Sequence, residues 1–384
     1  MTKWQEFKKR WFLPKEEAGN IDLVFLILVF CLLAFGLVMV ASASYVSALH
    51  KTGDSYAYIR RQLLYAVGGV VAMLVVSRIR YQGMRGKFAI YLLVAAAVML
   101  VMVLIPGIGL VRGGARRWLG FGGFTFQPSE IGKLAIVVFF ASYMSMNYRR
   151  MKEFSVGILR PAIYLAIICF LVAIETHVSG AILIFSVGVV LMFVGGANLK
   201  WFFGIGGAGV AAIGVFAFAL PYARQRIHTW LNPFENVLGD GYQTVQSLYA
   251  IGSGGPFGLG LGQSRQKYLY IPEPQNDYIF SIVCEELGFV GALMVMILFV
   301  LLIWRGFVIA YHAKDKFGSL MVVGIISRVA IQAILNIAVV TNSVPPTGIS
   351  LPFFSYGGTA LMLLLFEMGV VLSVSRQARM EVKE

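Results

Sequence analysis

Charge is scarce in this chain and leans one way: charged residues make up 13% of its 384 positions, with 18 acidic against 32 basic side chains. Hydrophobic residues reach 59% and the mean hydropathy is +0.79, so there is too little polar surface to coat a soluble globule of this length. Cysteine is also sparse. Cys31, Cys169 and Cys284 show no paired spacing and each falls in an apolar run, so no disulfide or zinc framework is implied. Heptads, solenoid repeats and low-complexity tracts are lacking, as is the inverted repeat many secondary transporters carry. The glycines from Gly252 to Gly262 lack the Gly-Lys-Ser/Thr of a phosphate-binding loop.

Long apolar runs are abundant. They fall at 22–44, 62–77, 88–105, 130–147, 159–174, 178–196, 202–221, 278–304, 319–340 and 358–375. Most have the roughly 17–25 residues a helix needs to cross about 30 Å of hydrocarbon. The expectation is an all-α polytopic membrane protein of about ten transmembrane helices, with a long extracytoplasmic loop, 223–276, between helices 7 and 8. Residues 1–21 form an N-terminal segment, 22–375 a single membrane domain and 376–384 a tail. The first run is too long for a cleaved signal core, so Ala41-Ser42-Ala43-Ser44 is read as part of an uncleaved helix.

Basic residues in short loops stay on the cytoplasmic side. With the N-terminus inside, the inner segments hold 20 Lys and Arg and the outer loops 10, which places both termini in the cytoplasm. The net charge of +14 is in part this topological signal and does not argue for nucleic acid. The outer basic residues outnumber the outer acids, which suggests an anionic ligand on the external face.

Ionisable groups inside spans are costly and turn toward a bundle interior or a wet cavity. Here they are Glu130, Lys133, Glu175, His177, Glu285, Glu286, Arg328 and Glu367. Glu130 and Lys133 share a helix face after the start signal Gln127-Pro128-Ser129, either as a local ion pair or as the lining of an external cavity where Lys133 meets phosphate or orders Asp277. Arg116-Arg117-Trp118 can fork onto phosphate or anchor at the headgroups, and Arg224 with Arg226 carries the same two readings. Glu285 and Glu286 point to structural hydrogen bonding, and at most one of them can face the cavity of Asp277. Glu175 and His177 bracket a short turn and would under-ligate a metal alone. The glycine-rich stretch is either a flexible tether or a place where backbone amides or a lipid pyrophosphate approach closely. Asp277 stands at the seam between the polar loop and the next apolar run, where it can cap a helix or meet a lipid-linked substrate at the membrane surface.

Several stretches resemble the SEDS family, the shape, elongation, division and sporulation proteins typified by FtsW and RodA. They are Gly114 to Leu119, Gln127 to Lys133, Gly241-Tyr242-Gln243 with Gln246-Ser247, Ala250 to Gly255, Pro272 to Gly288 and Leu351 to Gly358. Pro345 to Pro352 is similar to the FtsW-like branch. One departure is Thr176-His177, where many members carry Pro-Asp, so no role of that aspartate transfers.

The resemblance implies a peptidoglycan polymerase in the bacterial cell membrane, with its active site facing outside. Its substrates would be lipid II and the growing glycan strand, used in division or related wall synthesis. Asp277 matches the family's proposed catalytic aspartate, and the substrate contacts would be Glu130, Lys133, Arg116, Arg117, Arg224, Arg226, Gln243 and Ser355. A divalent cation, Mg²⁺ or Mn²⁺, would assist, with no organic cofactor. Implied partners are a class B penicillin-binding protein transpeptidase and other divisome or elongasome membrane proteins. The alternatives are a lipid II flippase and a non-catalytic scaffold for a transpeptidase.

Overall fold

Helices dominate the computed structural model, which describes residues 11, 19–112, 115–121, 124–175, 177–202, 204, 221–239 and 241–378. In chain order the helices are α1 Leu23–Thr52, α2 Ala57–Val76, α3 Lys87–Leu104, α4 Pro128–Met146, α5 Arg160–Ile174, α6 Val178–Val194, α7 Pro221–Leu231, α8 Tyr242–Gly254, α9 Ile279–Tyr311, α10 Lys316–Val340 and α11 Gly358–Gln377. Eight are long and apolar enough to span a bilayer, counting α5 with the π turn that precedes it; α6 is equally apolar and slightly shorter. The expected span at 202–221 lies outside the described residues except at its ends, as do most of segment 1–21 and all of 379–384.

Burial separates the helices into two groups. α4, α10 and α11 are largely buried, whereas α2 and α3 turn much of their apolar surface outward, as lipid-facing helices do. α10 packs against α4, α6 and α9, and α2 lies along α11. Ala41 to Ser44 are interior to the continuous 30-residue α1.

Three differences from the sequence expectation matter for the site. First, the outer loop after α3 carries a small antiparallel sheet of β1 Gly109–Arg112, β2 Ala115–Phe121 and β3 Phe124–Phe126 on an otherwise helical chain. Second, the segment 223–276 holds most of α7 and all of α8, which packs on α9. Third, α9 breaks at Gly288, with φ 69° and ψ −167°.

The break accounts for the glycine-rich stretch. Freed carbonyls of Glu285 and Glu286 accept from the amides of Leu259 and Gly260, at 2.9 and 3.0 Å, while Phe289 and Val290 donate to the carbonyls of Gly255 and Pro256. A helix broken among apolar neighbours needs such replacement partners. A side chain on Gly258 would strike the Glu286 backbone, and one on Gly288 would strike Gly258 and Phe257. These glycines thus serve backbone-to-backbone approach within the chain.

The two glutamates complete the splice. Glu286, fully buried, accepts from Lys267 Nζ at 3.0 Å, from Ser42 Oγ of α1 at 2.7 Å and from the Ser264 amide at 3.2 Å. Glu285, also fully buried, takes Ser264 Oγ at 2.5 Å and the Arg265 amide at 2.9 Å. Consecutive residues therefore serve the same loop, because that loop wraps across the helix.

Candidate functional site

α4 starts as its sequence suggests, with Gln127 extended and Pro128 in the first turn. One turn then separates Glu130 from Lys133, and their side chains meet at 2.5 Å. Arg328 of α10 extends the pair. Its Nη1 lies 3.8 Å from Glu130 Oε2 and its Nη2 lies 2.6 Å from Glu367 Oε2 of α11. Two acids and two bases from three helices thus balance in a buried cluster, which offsets the cost of placing any one of them in the membrane.

His177 closes the outer edge of this cluster. Its Nδ1 is 3.2 Å from Gln127 Nε2 and 3.3 Å from Ser129 Oγ. Burial, with Lys133 and Arg117 nearby, pushes the imidazole down to about 4, so it is neutral at pH 7. Arg117 Nε donates to the Glu175 carbonyl at 3.3 Å. Burial pushes the Glu175 carboxyl up to about 8 against the opposing pull of Arg117. Arg116, one position earlier on β2, sends Nη1 to the Leu104 carbonyl at the end of α3, 3.2 Å away. Alternation along the strand thus separates two arginines that the sequence presents as a pair.

Asp277 is held from α10. Arg328, Gln332 and Asn336 recur every four residues and so line one face of that helix. Asn336 Nδ2 donates to the carbonyls of Asp277 and Ile349, both at 2.7 Å. Gln332 Nε2 donates to Ser350 O at 2.9 Å. Gly348 has a φ of 71°, and a Cβ there would stand 3.5 Å from Asp277 Oδ2. Ser179, at the start of α6, donates to the Thr347 carbonyl. The loop from Val344 to Ser350 therefore bridges the two halves of the site: Thr347 faces the His177 side and Gly348 the aspartate.

Asp277 does not cap α9, whose N-cap is Tyr278, without a side-chain cap bond. Burial raises its carboxyl above the usual range and the charge of Glu273 adds to the effect, while its own amide opposes both. No basic side chain pairs with it among the described residues. Lys133 is bonded to Glu130. Among the described residues, Thr347 Oγ1, Asn336 Oδ1 and Gln275 Oε1 are buried polar atoms without a hydrogen-bond partner.

The other candidates are scattered. Arg224 on α7 and Gln243 on α8 are exposed, and the side chain of Arg226 lies outside the described residues, as does Thr176. Ser355 is turned inward, where its Oγ accepts from the Leu351 amide at 2.7 Å. His177, Ser179, Gln332, Asn336 and Thr347 join the site without having stood among the predicted contacts. The polar stripe at 328, 332 and 336 on an apolar helix was the available signal for two of them.

A family model described as "Cell cycle protein", covering FtsW, RodA and SpoVE, matches residues 22–380. The chain is 45% identical over 359 residues to stage V sporulation protein E of Bacillus subtilis, covering 93% of this chain and 98% of that one. It is 36% identical over 364 residues to a probable peptidoglycan glycosyltransferase FtsW of Geobacter metallireducens, covering 95% and 97%. Among solved structures, a chain described under "Structural coordination of polymerization and crosslinking by a peptidoglycan synthase complex" aligns with a TM-score of 0.77 at 25% identity, covering 94% and 99%. The rod shape determining protein RodA of Thermus thermophilus aligns with a TM-score of 0.68 at 25% identity, covering 94% and 98%.

Proposed function

The chain belongs to the FtsW/RodA/SpoVE family of cell cycle proteins, and from that premise we propose that it is a multi-pass membrane glycosyltransferase that polymerises peptidoglycan, with Asp277 as general base. The observation that carries the assignment of Asp277 is its setting. Its backbone is fixed by Asn336, its carboxylate stands against Gly348, and burial makes it more basic than an ordinary aspartate.

The substrate of this reading is lipid II. The 4-hydroxyl of an acceptor GlcNAc attacks C1 of the donor MurNAc, the C1–oxygen bond to undecaprenyl pyrophosphate breaks, and the hydroxyl proton passes to Asp277. One displacement inverts the anomeric centre. The leaving pyrophosphate needs positive charge, and Lys133, Arg117 and Arg328 are the cations gathered on the cluster side of the 344–350 loop.

Among the described residues no three His, Cys, Asp or Glu side chains are grouped to hold a metal ion. A Mg²⁺ or Mn²⁺ ion, if bound with the substrate, would be held chiefly by the substrate phosphates. Its contribution would be to offset charge on the leaving group. The likeness to a chain of a peptidoglycan synthase complex supports a transpeptidase as partner.

The test is product analysis with purified lipid II and Mg²⁺ or Mn²⁺, comparing wild type with Asp277→Asn, each with and without the cognate transpeptidase. Glycan chains from wild type and none from a folded Asp277→Asn are expected. Equal polymer from both removes Asp277 as base. No polymer under any pairing would move the assignment to a flippase or a scaffold.

A further inference from the structure

Three of the loops whose basic residues orient the chain meet in one hollow. A cavity of about 590 Å³ opens at the end of α4 opposite Glu130, and Arg85, Arg149, Arg150 and Lys316 line it with Asn147 and Tyr148. Arg85 precedes α3, Asn147 to Arg150 follow α4, and Lys316 opens α10. The 19-residue α4 sets this hollow ~25 Å from the Glu130 cluster.

The local charges do not cancel. Asp315 also lines the cavity, its carboxylate accepting from the Gly318 amide at 2.7 Å as the N-cap of α10, and it offsets one of the four cations. Arg150 is matched by a two-point contact with Glu153, at 3.0 and 2.9 Å. Arg85, Arg149 and Lys316 pair with no carboxylate among the described residues. The ammonium of Lys316 lies over the Tyr148 ring, 2.6 Å from its centroid. α3 begins beside Arg85 without a side-chain cap, so its first amides add to the positive potential.

Retention of loops in the cytoplasm depends on the number of basic residues near the span ends, and such residues can be solvated separately. Topology alone therefore does not require them to converge on a cavity. The hollow also has an apolar lip: Met146 and Tyr148 line it and are 62% and 50% exposed. A purely soluble anion has no use for that lip, whereas a phospholipid places a phosphate and acyl chains side by side.

We propose that this hollow binds the phosphate of an anionic phospholipid of the inner leaflet, with Arg85, Arg149 and Lys316 as its ligands. Its placement at the inner leaflet follows from the distribution of basic residues along the chain. The site is separate from the polymerase site and does not depend on the chemistry assigned to Asp277.

The test is native mass spectrometry of the full-length protein in mild detergent, titrated separately with phosphatidylglycerol, phosphatidylcholine and inorganic phosphate. Wild type should retain phosphatidylglycerol and not phosphatidylcholine, and the triple variant Arg85→Ala, Arg149→Ala, Lys316→Ala should bind it about 100-fold more weakly. The variant Lys152→Ala, Lys200→Ala, Lys314→Ala removes three cytoplasmic cations outside the cavity and should bind like wild type. Should the cavity triple variant fail to fold, Arg149→Gln and Lys316→Gln singly should each weaken retention about fivefold. Undiminished retention by the cavity variants, or equal loss in the control variant, overturns the site. Displacement of the lipid by equimolar inorganic phosphate overturns the lipid assignment in favour of a soluble anion.

Discussion

Glu175 and His177 are displaced from their ordinary ionisation in opposite senses, one up to about 8 and the other down to about 4. The folded state therefore keeps a proton on Glu175 that the unfolded chain has lost above 4.5, so this contribution to stability declines as pH rises from 4.5 to 8. His177 acts the other way: the unfolded chain gains a proton below 6.5 that the fold refuses, so stability declines as pH falls from 6.5 to 4. Between 4.5 and 6.5 the two slopes oppose, and between 6.5 and 8 only Glu175 acts. Glu175→Gln, which keeps a neutral side chain of the same size, should flatten the fall in thermal midpoint from pH 6.5 to 8; a slope equal to that of wild type would sink the assignment. At this scale the sequence was informative where burial is costly. Glu130, Lys133, Arg328 and Glu367 stand out as charges in apolar runs, and they do meet. Asn336 carries no charge; the polar stripe marks it on its helix, but nothing local marks it as the partner of Asp277.

Among the elements, α9 is the one that long-range contacts reshape. Its break puts Gly288 in a backbone region closed to residues with a Cβ, and Gly258 is packed against the same turn. Gly288→Ala should destabilise the protein by about 1–3 kcal/mol in denaturant unfolding, and an unchanged midpoint would mean that α9 is continuous there. The Lys267 and Glu286 pair holds the returning loop on the far side of the break. Lys267→Met or Glu286→Gln alone leaves a buried group without its partner and should cost roughly 3–5 kcal/mol. The double variant should cost clearly less than the two singles added, because the loss is shared; strict additivity in the double-mutant cycle would show that the pair is not coupled. Neither the break nor the small sheet was legible. β1 and β3 have only 4 and 3 residues, Ala115-Arg116-Arg117-Trp118-Leu119-Gly120-Phe121 of β2 does not alternate, and a glycine inside an apolar run looks like any membrane-helix glycine.

For the whole molecule the outstanding expectation is its sidedness. Cysteine placed at Glu273 should react with a membrane-impermeant maleimide on intact spheroplasts, and cysteine at Arg149 only after permeabilisation. The reverse pattern would invert the protein and place Asp277 in the cytoplasm. The sequence by itself determined the solvent of this chain, the positions of most spans and the set of costly side chains, because hydropathy, length and local charge are properties of contiguous residues. It also carried the family resemblance, through short motifs distributed along nearly the whole chain. Only the tertiary structure decided which distant residues meet: Arg328 with Glu130 and Glu367, Asn336 with Asp277, and the glycine-rich loop with the break in α9. Those contacts depend on how helices pack and where loops return, and helix packing in lipid follows shape and buried polar pairing more than the hydropathy of any single span.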